Sequence, residues 1–443
     1  MEVAWPRCRE VPHHLAKYWL WRPLHSRAEQ AGHRQHFATL FFPAGVGGVC
    51  VRVARRRALR SSANRRSDTR CPRCIRGARS GSDGDSQEGS EAAANLDDSA
   101  FFAAFRKRAQ EVEQQAAERK AAVDRNWKDG RAEVKVGAVA NDWVRRVILV
   151  DDELFVGTAS RGVQRYRLGG EQPRQLFPVS GDPTRSVPAD HQAEYDPETS
   201  VTSIAWNGRC LFAGLAGGRA HAWRDDGTLL LDVVVCSRST RPCYVLVKDD
   251  MLIAAAGEAV MRWSIEDLES QSDLSAHRIE VTSNVHSLAA GFNGTFALGL
   301  EDGTVELRSL ERLNLLSRRP SAHRYAVSAL LVLSDTIVTG DAAGNLASWR
   351  TQDASVTPGE DWEKLWQREH RGRVVAISQG GGQVIVTAAL DSFIRIWNLS
   401  GELLFAIPEH RVWLGSLSMS VDNSLMATDG RDNAVYLYRF SED

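Results

Sequence analysis

The sequence predicts an all-β fold: a seven-bladed β-propeller over residues 132–443, preceded by a helical segment over residues 97–131 and a basic region over residues 1–96. Three observations predict it. First, a β-rich unit closes on a large side chain seven times, at Tyr166, Trp223, Trp263, Arg308, Trp349, Trp397 and Tyr438, with separations of 57, 40, 45, 41, 48 and 41 residues. Four short strands with their turns fill about 40–45 residues, the length of one blade. Second, each unit repeats one order of strands and turns, clearest in Val374–Ser378, Gln383–Ala389, the turn at Asp391 and Phe393–Asn398. Third, the last unit stops at Phe440 after three strands, while Glu133–Val139 reads as a strand with no partner of its own. An open ring would expose two strand edges, so these two segments are expected to pair and close it.

The basic region comes first in the chain. Residues 1–96 hold 17 Lys and Arg against 8 Asp and Glu, whereas residues 132–443 hold 30 against 41, so the overall charge of −1 hides a basic head on an acidic body. An acidic body repels nucleic-acid phosphate, and no nucleic-acid partner is expected. Arginines cluster from Arg52 to Arg66 among Ser61, Ser62 and Ser67, after an apolar stretch from Phe37 to Val51. That order resembles the bipartite leaders of algal plastid proteins. It sets the expectation of a transit peptide and a plastid or mitochondrial location, against the alternatives of a disordered tail and a cytoplasmic protein. Residues 80–91 read as a flexible linker.

The helix follows over residues 97–127. Asp97, Asp98 and Ser99 supply N-cap candidates, and Phe101, Phe105 and Val112, with Phe102 and Ala109, form an apolar stripe at helical spacing. From Glu113 to Arg125 the segment is polar nearly all round, so its first half is expected to dock on the body. The seven cysteines do not form a secreted disulfide pattern; Cys210, Cys236 and Cys243 read as small buried hydrophobes. No run of about 18 apolar residues occurs, so no membrane span is expected.

The repeat resembles the WD-repeat proteins, whose blades carry a His before the first strand, a tight-turn Asp and a Trp-Asp pair closing the third strand. His277, His323, His370 and His410 precede Arg308, Trp349, Trp397 and Tyr438 by 31, 26, 27 and 28 residues, and the turn Asp falls on Asp302, Asp391 and Asp432. The resemblance implies a buried hydrogen-bonded set of His370, Thr387, Asp391 and Trp397, with His410, Thr428, Asp432 and Tyr438 as a near match. Copies 1 to 3 lack the His and the turn Asp, copy 4 has Arg308 for Trp, copy 5 has Ala343 for Asp, and no copy keeps the final Asp. The resemblance also puts the loop from Pro178 to Ser200, with its acids Asp182, Asp190, Glu194, Asp196 and Glu198, on the top face where partners bind. A second insertion falls near residues 351–362.

These readings imply a non-catalytic scaffold, a monomeric propeller within a complex of other proteins, with no cofactor, metal or catalytic residue. The alternative is an enzyme of propeller architecture, such as a metal-dependent hydrolase with a site in the central channel. Four of the innermost strands, starting at Val201, Val285, Val327 and Leu414, are small and neutral apart from His286, so the channel is expected to be chemically bland. Cys71 and Cys74 have the spacing of half a zinc knuckle without a second pair nearby. Gly380–Gly382 joins two strands and reads as a hairpin turn instead of a phosphate loop.

Overall fold

The computed structural model describes residues 2–4, 95–170, 172–179, 199–237, 241–351, 362–408, 414–430 and 433–441. The arginine-rich head, Cys71, Cys74, the acidic loop residues, His410 and Asp432 lie outside the described residues. The chain divides into two compact units, residues 53–120 and the remainder.

In the first unit the described part is helical. One helix, α1 (Asn95–Asp129), runs through it and ends in the second unit. Phe102, Phe105 and Val112 are exposed. The helix is anchored at its other end, in the second unit. Its last turns carry the anchor, because Val123, Asn126 and Trp127 sit at i, i+3 and i+4 and are all buried.

In the second unit, seven four-stranded antiparallel sheets make a ring. Blade 1 comprises Val144–Val150, Glu153–Thr158, Val163–Arg167 and Gln175–Phe177. Blade 2 follows with Val201–Trp206, Cys210–Leu215, Arg219–Arg224 and Leu229–Val234, and blade 3 with Cys243–Lys248, Met251–Ala256, Ala259–Ser264 and His277–Glu280. Blade 4 holds Val285–Ala290, Thr295–Leu300, Val305–Ser309 and Leu315–Arg319; blade 5 holds Val327–Val332, Thr336–Asp341, Asn345–Arg350 and Glu363–Glu369. Blade 6 consists of Val374–Gln379, Ile385–Ala389, Ile394–Trp397 and Leu403–Ile407. Blade 7 takes Leu417–Met419, Leu425–Asp429 and Ala434–Arg439 from the end of the chain and Arg131–Val139 from before blade 1. Val134 pairs with Tyr438 and Val139 with Ala434, so the ring closes as the unpaired strands predict. Glu2–Ala4 adds a short fifth strand beside Arg131–Glu133.

The blades pack face to face through apolar clusters, such as Phe155, Phe177, Trp206 and Trp223 between blades 1 and 2. Hydroxyls of the innermost strands bridge neighbouring blades. Ser203 Oγ accepts from Val245 N at 2.8 Å, Ser328 Oγ donates to Val374 O at 2.6 Å, and Ser416 Oγ accepts from Val147 N at 2.9 Å. Close approach also needs a missing side chain: a Cβ on Gly340 would lie 2.6 Å from Val374 of the next blade.

The end of α1 latches the ring from one side. Trp127 is fully buried, stacks on Phe440 with centroids 3.6 Å apart, and donates from its indole to Asn423 O at 2.7 Å. Asn126 donates to Phe440 O at 2.7 Å, and Asp124 accepts from the Gly382 amide. The triple glycine is thus a turn, as expected, and also a seat: a Cβ on Gly381 would fall 2.5 Å from the Trp127 ring. The other α-helix among the described residues, α2 (Ile265–Ser270), joins the third and fourth strands of blade 3 and is capped by the Ser264 hydroxyl.

Candidate functional site

The top of the ring is the face carrying the links from the outer strand of one blade to the inner strand of the next. His370, Thr387, Asp391 and Trp397 come together there in blade 6. The Thr387 hydroxyl accepts from the Trp397 indole at 2.8 Å and shares a 2.8 Å hydrogen bond with the His370 ring, whose other nitrogen lies 3.4 Å from Asp391. Asp391 also accepts from the Arg371 and Phe393 amides and from Arg395. Burial alone would raise the Asp391 carboxyl, but hydrogen bonds from His370, Arg395 and the Arg371 amide outweigh it and hold the group well below the usual range. Burial lowers His370.

Blade 5 builds the same set with the acid moved two residues, so that Asp341 supplies what Ala343 lacks. Thr339 accepts from Trp349 at 2.9 Å and meets His323 at 2.6 Å, and Asp341 stands 3.3 Å from the His323 ring. Asp341 ends the second strand and accepts from the Ala343 and Asn345 amides, the same turn that Asp391 braces from inside it. In blade 7, Thr428 Oγ1 is buried and has no hydrogen-bond partner among the described residues. Blade 4 has no such set: His277 is exposed on the outer strand of blade 3, and Arg308 pairs with buried Glu306 at 2.7 Å. Asp302 does cap its turn, accepting from Thr304 N at 2.9 Å.

The channel differs most from expectation. It is not neutral, because the innermost strands of blades 1 and 3 and the approach to that of blade 6 bring Arg146, Tyr244 and Arg373 to its top end, beside His286 of blade 4. Register shifts in blades 1 and 4 remove Arg145 and His286 from the cross-strand pairing, whereas the inner strand of blade 3, with Tyr244, is paired without a shift. Arg146 donates to Thr202 O at 2.6 Å, to Arg145 O at 2.6 Å and to Gly415 O at 2.5 Å, so it ties blades 7, 1 and 2 together. Burial, with Arg145 alongside, pulls Arg146 down to about 10, and burial does the same to Arg373. Burial and then the Arg373 charge bring His286 down to about 4; burial pushes the Tyr244 hydroxyl up to about 12. Asp429, at the end of the second strand of blade 7, accepts from the Gly415 and Ser416 amides, yet burial pushes it up to about 6.

Around this mouth the top carries Arg145, Arg161, Arg241, Arg324 and Arg371, with two exposed aromatic side chains. Arg145 lies over Trp143 at 5.1 Å, and Arg324 over Tyr325 at 5.8 Å. Trp143 and Tyr325 are 45 % and 47 % exposed, on blades 1 and 5. The buried ends of the acidic loop, Phe177 and Thr199, run from the outer strand of blade 1 to the inner strand of blade 2. Cys210 and Cys243 are buried and unbridged. Among the described residues no group of three or more His, Cys, Asp and Glu is placed to hold a metal ion, and no helix is long and apolar enough to cross a membrane.

No family model matches the chain. One similar solved chain belongs to a crystal structure of the mitotic checkpoint complex, with a TM-score of 0.54, 16% identity, and cover of 70% of this chain and 91% of that one. Another is the computationally designed Ika8 protein, with a TM-score of 0.49, 16% identity, and cover of 69% and 99%. At such identity the likeness to the first is one of fold, and the fold is a seven-bladed β-propeller.

Proposed function

We propose that this chain is a WD-repeat-type propeller serving as a non-catalytic platform, which holds protein partners on its top face and rim. The observation that carries the reading is the pair of arginine–aromatic stacks, Arg145 on Trp143 and Arg324 on Tyr325, exposed on blades either side of the channel. Aromatic and arginine side chains supply most of the energy at protein interfaces, and a rigid ring presents them without an ordering cost. The His–Thr–Asp–Trp sets of blades 5 and 6 support the WD-repeat assignment, and a chain of the same fold occurs within the mitotic checkpoint complex. A metal-dependent hydrolase would need carboxylates converging on the channel; cations dominate among the described channel groups, which favours the platform over that alternative.

The test is capture by the tagged full chain. The double variant Trp143→Ala/Tyr325→Ala is expected to lose at least one protein that both the wild type and an Asp250→Asn variant on the opposite face retain. Identical captured sets from all three would sink the proposal. The same experiment tests the acidic loop: replacing residues 182–197 with a Gly/Ser linker is expected to leave the melting temperature unchanged and to weaken capture of a basic partner, more so as salt rises.

A further inference from the structure

The charges of the top face are sorted by blade. Over blades 3 and 4 the acids Glu258, Glu301 and Asp302 are exposed. Over blades 5, 6 and 1 the acids are turned inward: Asp142, Asp341 and Asp391 are buried, and each accepts backbone amides of a turn. In the described links and turns of these three blades the charged side chains that reach solvent are arginines. Arg324 and Arg371 are exposed, and Arg145 and Arg161 are half-buried.

These arginines also differ from others of the body in what they meet. On the bottom Arg209 pairs with Asp250 and Glu269, on the rim of blade 5 Arg350 pairs with Glu363, and on the acidic side of the top Arg241 pairs with Glu301. Among the described residues Arg161 and Arg371 bond through their backbone amides, to Thr158 and Asp391, and Arg324 lies over the Tyr325 ring. None of these three guanidinium groups meets a carboxylate. Aromatic rings lie between them: Trp143 and Tyr325 are exposed, and half-buried Phe393 sits in the blade 6 turn with Arg395 5.1 Å from its centroid.

We infer that the top of blades 5, 6 and 1 binds an acidic segment of a partner protein, one that alternates carboxylates with aromatic or aliphatic side chains. A guanidinium holds a carboxylate through two parallel hydrogen bonds. One exposed pair is worth little, so recognition needs several arginines in a row, and this sector supplies them. The apolar side chains of the segment would cover the three rings. A long polyanion such as nucleic acid fits less well, because it would run on to the acids over blades 3 and 4. The inference rests on the platform reading above and adds the chemistry of the partner.

The experiment pans a random-sequence peptide library against the full chain at low ionic strength and measures the recovered peptides by fluorescence anisotropy. They are expected to be rich in Asp and Glu, with aromatic or aliphatic residues between, and to bind more weakly as salt rises. The double variant Arg324→Gln/Arg371→Gln is expected to weaken them at least tenfold. Arg209→Gln, which removes the same charge on the bottom, is expected to weaken them less than twofold. All three side chains are exposed, so each variant is expected to keep the wild-type melting temperature. Panning against Arg324→Glu/Arg371→Glu is expected to recover basic peptides instead. Neutral or basic peptides from the wild type, no peptides at all, or acidic peptides indifferent to Arg324→Gln/Arg371→Gln overturn the proposal. Oligothymidylate that displaces the acidic peptides at equal charge also overturns it and marks the surface as one for nucleic acid. Any of these failures leaves the platform reading standing as long as Trp143→Ala/Tyr325→Ala loses a captured partner.

Discussion

The two faces of the ring use their charged side chains differently. The bottom turns hold Asp151, Asp249 and Asp250 at φ of 52°, 48° and 59°, the left-handed region that Asp and Asn enter more readily than other side chains. Asp226, Asp273 and Asp422 accept from amides two residues on, at Thr228, Ser275 and Ser424. Much of the acidity below is therefore turn chemistry. The acids on top do similar work, since Asp142, Asp302, Asp341 and Asp391 each brace a turn. The arginines on top do not: among the described residues no turn is braced by the guanidinium of Arg161, Arg324 or Arg371. The summed charge of the body, which is acidic, conceals these arginines, and they are the charges that call for a functional explanation.

The comparison breaks most directly at Trp127, because the bottom is also where the chain covers its own ring. Trp127→Ala is expected to cost about 3–5 kcal/mol, the range for losing a fully buried large aromatic, read by chemical denaturation. Trp397→Ala, inside blade 6, belongs to the same range of about 3–5 kcal/mol. If Trp127→Ala melts like the wild type, α1 is not a latch, and the bottom surface around Gly381 and Asn423 becomes as available to partners as the top.

Next in size are the acids that brace the top. Asp391→Ala and Asp341→Ala are each expected to cost about 1–3 kcal/mol, because each strands a histidine and backbone amides. The pH dependence has a definite sign. The folded Asp391 carboxyl titrates below its unfolded value, so its contribution is fully present above the ordinary carboxylate range and is lost as pH falls through and below it. The gap between the wild type and Asp391→Ala should therefore narrow in acid. Asp429 behaves oppositely: raised to about 6, it favours the folded state most when protonated and loses that contribution as pH rises from about 4 through 6. Asp429→Asn is expected to look better relative to the wild type at pH 7 than at pH 4. A gap for Asp391→Ala that widens in acid would show that its carboxylate does not hold the blade.

The ring itself was readable because strand alternation and a 40-to-48-residue spacing recur in most units, and because strand pairing obliges Glu133–Val139 to meet Ala434–Arg439. The blade 6 residues were readable because they sit at the family's spacing. Asp341 was missed because a carboxylate can reach the same histidine from either side of a two-residue turn, and a fixed spacing tests only one side. Trp127 was missed because one large side chain at the end of a polar run leaves no periodic signal. The channel was misread because Arg146 lies on the inner strand of blade 1 and Arg373 just before that of blade 6, and Val144-Arg-Arg-Val147 looks like an ordinary alternating strand. The register shift that removes one residue from the pairing is invisible in composition.

The smallest effects separate turn chemistry from function. Asp250 on the bottom has φ of 59°, and among the described residues its side chain makes one exposed 3.4 Å ion pair, with Arg209. Asparagine tolerates that backbone and an exposed pair is worth about 0–1 kcal/mol, so Asp250→Asn is expected to stay within about 0.5 kcal/mol of the wild type. Asp250→Val should cost about 1–2 kcal/mol, because a β-branched residue resists the left-handed conformation. On top, Arg324→Gln is expected to change stability by less than about 0.5 kcal/mol, since its charge is exposed and its stack on Tyr325 is at the surface. The two silent changes should then part company in binding: Asp250→Asn leaves captured partners unchanged, and Arg324→Gln weakens at least one. If Asp250→Asn costs as much as Asp250→Val, the acid is there for its charge, and the bottom face needs a functional account of its own.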